Sequence, residues 1–78
     1  MTILENYNTA FVEAFAVQEK DLKELKYQSV TEWDSVGHMS LVATLEDVFE
    51  IEMDIDDIID FSSYEKGKEL MRKYGVLI

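Results

Sequence analysis

Seventy-eight residues without a single cysteine or proline leave room for one domain with one core, and they remove disulfides, thiolate metal sites and cysteine nucleophiles from consideration. A hydrophobic share of 47 %, with four Phe, four Tyr and one Trp, is enough to fill that core, and the scarcity of helix breakers favours helices. A formal net charge of −10 argues against nucleic acid and anionic lipid as partners and in favour of basic protein surfaces.

The first predicted element follows Thr2, which stands three residues before Glu5 at the spacing of a capping box. Leu4, Tyr7, Phe11 and Phe15 then recur at helical intervals, with Asn6, Asn8 and Glu13 off that stripe, so a helix is expected to end near Val17. The connection QEKDLKELKYQSVTEW is polar but long, and loops of that length in small domains are anchored or functional. Leu22, Leu25, Val30 and Trp33 are its expected anchors, with a short helical turn around Asp21–Leu25.

A second helix is expected to open at Asp34 or Ser35. Its apolar face is read as Met39, Leu41, Val42, Leu45, Val48 and Phe49, and its end as Glu50 to Glu52. The third is short: Asp54 caps it, Asp56 and Asp57 suit the positive end of the helix dipole, and Ile55, Ile58 and Ile59 are expected to point inward. The fourth is expected to start at Ser62, with Glu65 three residues on. It carries Tyr64, Leu70, Met71 and Tyr74 on its stripe and stops at Gly75. For the apolar tail Val76-Leu77-Ile78, packing back and staying loose both stay open.

These elements predict an all-α domain over residues 1–78: a small four-helix bundle with a long loop between helices 1 and 2 and a short third helix. No apolar run is long enough for a membrane span, and the first residues lack a basic segment ahead of an apolar one, so a cytoplasmic location is expected. Size and charge favour a monomer. The charge is uneven: seven acids and three lysines in residues 1–34, eight acids and no Lys or Arg in 35–62, two acids and four bases in 63–78.

Self-contained catalysis is not expected. His38 is the one histidine, and a Ser35–His38 pair has no evident oxyanion hole or orienting carboxylate. A calcium loop counted from Asp54 fails because Ile58 and Ile59 occupy its fifth and sixth places, where a ligand and a glycine belong. Ser35 itself admits two readings. It is a helix cap, or it is a hydroxyl held in a fixed direction for covalent modification, beside free N–H groups that would receive a phosphodiester.

In the segment WDSVGHMSLVATLEDVFEIEM, Asp34-Ser35-Val36 precedes an apolar helix with Leu45, Glu46 and Phe49 in an LE-x-x-F pattern. An acidic short helix and the paired hydroxyls Ser62 and Ser63 follow in DIDDIIDFSSYEKGKEL. This order resembles the acyl carrier protein family, the phosphopantetheine-binding or thiolation domains. The resemblance covers essentially the whole chain and is most specific over residues 33–65.

The resemblance implies that Ser35 bears a covalent 4′-phosphopantetheine, with Asp34 as its signature neighbour. The arm would carry acyl or aminoacyl groups as thioesters. It implies as partners a phosphopantetheinyl transferase and acyl-transferring or acyl-activating enzymes with basic docking surfaces. The second helix would be the recognition element: Val36, Ser40, Ala43 and Asp47 form one stripe beside Ser35, joined by Glu46 and Glu50.

Fatty-acid carriers usually have Leu where Val36 stands and acids where Gly37 and Ser40 stand, so the pattern suits a dedicated carrier in a specialised biosynthetic pathway. Met39, Leu45, Phe49, Ile55, Ile58, Ile59 and Phe61 are expected as core between helices 2 and 3, with room for a cavity among them. The reading from another class is a small acidic helical adaptor that binds basic partners without a prosthetic group.

Overall fold

A computed structural model describes residues 2–78. Its first helix, α1, spans Ile3–Phe15 and begins with the expected capping box: Thr2 Oγ1 accepts from the Glu5 N–H at 3.1 Å, and the Thr2 N–H donates to Glu5 Oε1 at 2.9 Å. The helix stops two residues before the expected Val17 because Ala16 turns left-handed, with φ of 54°. Leu4, expected on the inner stripe, is exposed, and Asn8, expected off it, is buried. The Tyr64 hydroxyl donates to Asn8 Oδ1, which supplies the partner that lets a polar side chain go inside.

A 3-10 segment at Glu19–Glu24 follows, starting two residues before and ending one residue before the predicted helical turn. Leu22, Leu25 and Trp33 are buried as expected, and Val30 is half-buried. Sequence alone gives no hint of the loop's second anchorage. The Tyr27 N–H donates to the Ser62 carbonyl at 2.9 Å and the Tyr64 N–H to the Leu25 carbonyl at 3.0 Å, an antiparallel bridge between Lys26 and Ser63.

Helix α2 spans Ser35–Phe49 and packs on α1 through Leu41, Val42 and Leu45. The buried stripe is narrower than predicted: Met39 and Val48 are exposed, and Phe49 is half-buried. At its end Glu50 takes a left-handed conformation, φ 55°, and the Ile51 N–H returns to the Glu46 carbonyl.

Helix α3 is Ile55–Asp60, and here the expected facing is reversed. Ile55 and Ile59 are 73 % and 72 % exposed, Ile58 is half-buried, and the side chain turned inward is Asp57, 4 % exposed. Lys73 Nζ lies 3.0 Å from both Asp57 carboxylate oxygens, and the Tyr74 hydroxyl donates to one of them. A carboxylate met by a cation and a hydroxyl can be buried where an unpaired one cannot. Asp54 stands at the cap position without a side-chain bond; its N–H instead donates to Tyr74 Oη at 2.9 Å.

Helix α4, Tyr64–Lys73, starts two residues after the predicted Ser62. The Ser62 carbonyl is committed to the loop bridge, so Ser63 becomes the cap, its Oγ accepting from the Lys66 N–H at 2.9 Å. Gly67 sits mid-helix where a methyl group would overlap the Tyr7 hydroxyl and the Phe61 ring. Gly75, φ 85°, ends the helix, and the Val76 N–H donates to the Met71 carbonyl, folding the tail back with Val76 buried and Leu77 outside.

The core is aromatic. Phe11 lies at its centre, with ring centroids 4.9 Å from Tyr7, 5.3 Å from Tyr64 and 5.7 Å from Trp33, while Phe15 stacks on Trp33 at 4.9 Å. The result is a small, all-α fold of four helices and one 3-10 segment among the described residues. No helix among them is long and apolar enough to cross a membrane.

Candidate functional site

Everything around Ser35 is set by what precedes it. Trp33 is fully buried and stacked on Phe15, and its backbone is tied on both sides: its N–H donates to the Val30 carbonyl at 3.1 Å and its carbonyl accepts from the Gln28 N–H at 2.9 Å. The chain therefore enters α2 from a fixed point.

Asp34 takes the cap position, not Ser35. Its Oδ1 accepts from the Gly37 N–H at 2.8 Å and its carbonyl accepts from the His38 N–H at 2.8 Å. Ser35 is the first helical residue, is exposed, and among the described residues its hydroxyl makes no hydrogen bond. The N–H groups of Ser35 and Val36 are likewise without a partner among the described residues. A free hydroxyl thus stands beside two free donors at the positive end of a fifteen-residue helix.

Gly37 is explained by contact. A Cβ there would overlap the Glu32 carbonyl oxygen, so the first turn of α2 lies against the loop backbone and only glycine allows the approach.

His38 faces inward from the same turn. The Trp33 Nε1–H donates to His38 Nδ1 at 2.9 Å, and His38 Nε2 is 2.7 Å from the Ile58 carbonyl oxygen of α3. Both ring nitrogens are thereby occupied, and the imidazole is not free to act on Ser35. The structure makes His38 the joint between α2 and α3.

Beside this joint is a cleft of about 270 Å³ lined by Tyr27, His38, Ile59, Phe61 and Ser62. Of the residues expected around a cavity between helices 2 and 3, Ile59 and Phe61 line it. Leu45 is in the core, while Met39 and Ile55 are exposed. Tyr27 and Ser62 come from the loop and from the turn before α4, brought together by the backbone bridge that local sequence pattern does not reveal.

Val36, Ser40, Ala43 and Asp47 are all exposed and form the outer stripe of α2, with Val36 at 76 % exposure. Glu46 and Glu50 differ from them. Glu46 is half-buried, and its Oε2 accepts from the Met53 N–H at 2.8 Å, closing the turn after α2. Glu50 lies past the helix end in its left-handed cap. Met39, Ile55 and Ile59 add exposed apolar surface, with Asp54, Asp56 and Asp60 exposed around α3.

The hydrogen bonds from Tyr74 and Lys73 hold the Asp57 carboxyl below the usual carboxylate range, and the same carboxylate raises Lys73 and Tyr74. Glu5 is lowered by its bonds with Thr2. Burial pushes the Tyr7 phenol far up. Among the described residues, no group of three or more acidic or histidine side chains is placed to hold a metal ion. Neither a protein-family model nor a curated protein matches the chain.

Proposed function

We propose that the protein is an acyl carrier of the phosphopantetheine-binding kind, a four-helix bundle loaded at Ser35 and serving a specialised biosynthetic pathway. The observation that carries this reading is the division of labour at the head of α2: Asp34 caps the helix, leaving the Ser35 hydroxyl exposed and unengaged. A serine needed for the cap would be spent on the Gly37 or His38 N–H. This one is presented to solvent by a rigid turn.

The residues present suit a 4′-phosphopantetheine. The unpaired Ser35 and Val36 N–H groups and the helix dipole favour an anionic phosphodiester at Ser35 Oγ. In loading, Ser35 Oγ would bond to the phosphorus of the phosphopantetheine half of coenzyme A, the pyrophosphate P–O bond would break with 3′,5′-adenosine bisphosphate as the leaving group, and the hydroxyl proton would leave to a base on the transferase. When bound, the arm supplies the thiol that a cysteine-free chain lacks, and acyl or aminoacyl groups ride on it as thioesters.

Docking of the transferase and of acyl-transferring or acyl-activating enzymes falls to the exposed stripe Val36, Ser40, Ala43 and Asp47, extended by Met39 and Ile59. A small apolar patch with acids at its edge suits brief encounters with basic surfaces. Glu46 is already committed within the fold and contributes less charge to that edge than its sequence position suggests.

Intact mass after incubation with coenzyme A, magnesium and a broad-specificity phosphopantetheinyl transferase tests the proposal, beside a Ser35→Ala control. Gain of one phosphopantetheine group by the native protein alone is the expected outcome. No gain from folded protein, with the transferase active on another carrier, would instead make the protein an acidic adaptor that binds basic partners through the same stripe.

A further inference from the structure

The cleft beside His38 differs in chemistry from the rest of the surface. The chain carries seventeen Asp and Glu and seven Lys and Arg, yet none of them lines this cleft. Its walls are Tyr27, His38, Phe61 and Ile59, with Ser62 as the fifth lining residue. The three rings stand edge-on to one another: Tyr27 and His38 have centroids 5.4 Å apart with an interplanar angle of 75°, and His38 and Phe61 are 6.0 Å apart at the same angle. A further aromatic ring prefers edge-to-face or offset contacts, and rings set in this way offer both edges and faces.

The walls are fixed before anything enters. Both His38 nitrogens are engaged, by the Trp33 Nε1–H and by the Ile58 carbonyl. Phe61, fully buried, stacks on Phe11 at 6.1 Å and forms the floor. The Tyr27 N–H is bonded to the Ser62 carbonyl at 2.9 Å. A preformed pocket loses little binding energy to the ordering of its own side chains.

Two features are left for a ligand to use. Ile59 is 72 % exposed, apolar surface that a seated molecule would remove from water. The Tyr27 and Ser62 hydroxyls, both on exposed residues, have no hydrogen-bond partner among the described residues and are available to fix an orientation. The volume of about 270 Å³ exceeds the roughly 150 Å³ that takes a benzene in an apolar cavity, so one substituted ring has room.

We propose that the cleft is a binding site for a small uncharged aryl group with one hydrogen-bonding substituent. An ammonium there would meet no carboxylate and a carboxylate no cation, although Asp56 and Asp60 stand exposed on the same helix as Ile59. The aryl group arrives as a free molecule or on an arm at Ser35; the chemistry that holds it is the same, and the site itself does not depend on modification of Ser35.

The test is a titration of the full, unmodified chain with benzyl alcohol, benzylammonium, benzoate and cyclohexylmethanol, followed by NMR of the aromatic and methyl signals. Benzyl alcohol should move the Tyr27, His38, Phe61 and Ile59 signals along one saturating curve. The two charged analogues should bind about tenfold more weakly, since neither finds a partner for its charge. The saturated ring, which has no π face, should also bind more weakly. Ile59→Asp, a change at an exposed position, should remove the response and leave the fold intact. Shifts spread through Phe11 and Leu45, no saturable response up to the solubility limit, or a charged analogue bound as tightly as the alcohol would overturn the site. The same titration on protein loaded at Ser35 from benzoyl-coenzyme A separates the two sources. Cleft signals already displaced and unresponsive to free alcohol assign the ligand to the arm; an unchanged titration assigns it to a free molecule. Failure to load would refute the reading of Ser35 alone, because the unmodified chain decides the cleft.

Discussion

Helices α1 and α3 are joined to the same domain by different physics. α1 buries Tyr7, Ala10, Phe11 and Phe15 and is held by contact between rings. α3 leaves two isoleucines outside, buries an aspartate, and is held by hydrogen bonds to His38, Lys73 and Tyr74. Burial of apolar surface responds little to pH or salt at moderate levels, whereas bonds through titratable groups last only while each partner keeps its charge state. The domain thus has a part that stays fixed and a part that conditions can move, with Ser35 on the helix between them.

The sharpest way to break the fixed part is Phe11→Ala. Emptying the centre of the aromatic cluster should cost about 3–5 kcal/mol, much of the roughly 5–15 kcal/mol available to a domain, and urea denaturation should show a protein unfolded or nearly so. Gly37→Ala comes next. The new methyl group overlaps the Glu32 carbonyl, so overpacking of about 1–3 kcal/mol is expected, seen as a lower urea midpoint, with slower loading at Ser35 because the first turn of α2 must shift.

Asp57→Asn probes the movable part through pH. The Asp57 pKa is lowered in the folded protein, so its contribution is present above the usual carboxylate range and lost as pH falls through the folded value. The variant should melt below the wild type near neutrality, and the gap should close in acid; a constant gap would mean that the carboxylate charge is not what holds α3.

The smallest effects separate cap from hydroxyl. Asp34→Ala should cost about 1 kcal/mol of thermal stability, while Ser35→Ala should stay within about 0.5 kcal/mol of the wild type and lose only the ability to be modified. Equal losses from the two would return Ser35 to the role of a cap.

Much of α1 was legible in the sequence because its signals are local: a hydroxyl and a glutamate three apart, then aromatics every four residues. The same holds for the left-handed stop at Gly75. In α3 the short length and the Asp54 cap position were legible too, but the facing of Ile55 and Ile59 was not. Three isoleucines in six residues outweigh one aspartate in any pattern of hydrophobicity, and what turns Asp57 inward is Lys73, sixteen residues along the chain. Asn8 went inside for a like reason, a phenol from Tyr64.

At the candidate site, Ser35 stood out, but neighbouring Asp and Ser both cap helices, and only the bond from Gly37 to Asp34 separates them. Gly37, apparently a weak place in a helix, is there for the Glu32 carbonyl. The partners of His38 lie five and twenty residues away, at distances where spacing says nothing.

The bridge between Lys26 and Ser63 bears on how the domain comes into being during synthesis. The loop that ends in Trp33 is bonded to the residues that open α4, so a nascent chain stopped before Ser62 has neither the Tyr27 nor the Tyr64 backbone bond. It also lacks the tyrosine whose ring packs on Phe11 and whose hydroxyl meets Asn8. The serine at position 35 leaves the ribosome early, but the loop before it gains its second anchorage only when Ser62 to Tyr64 have been made. An enzyme that recognises the doubly anchored loop would therefore find it only after the residues that open α4 have been made.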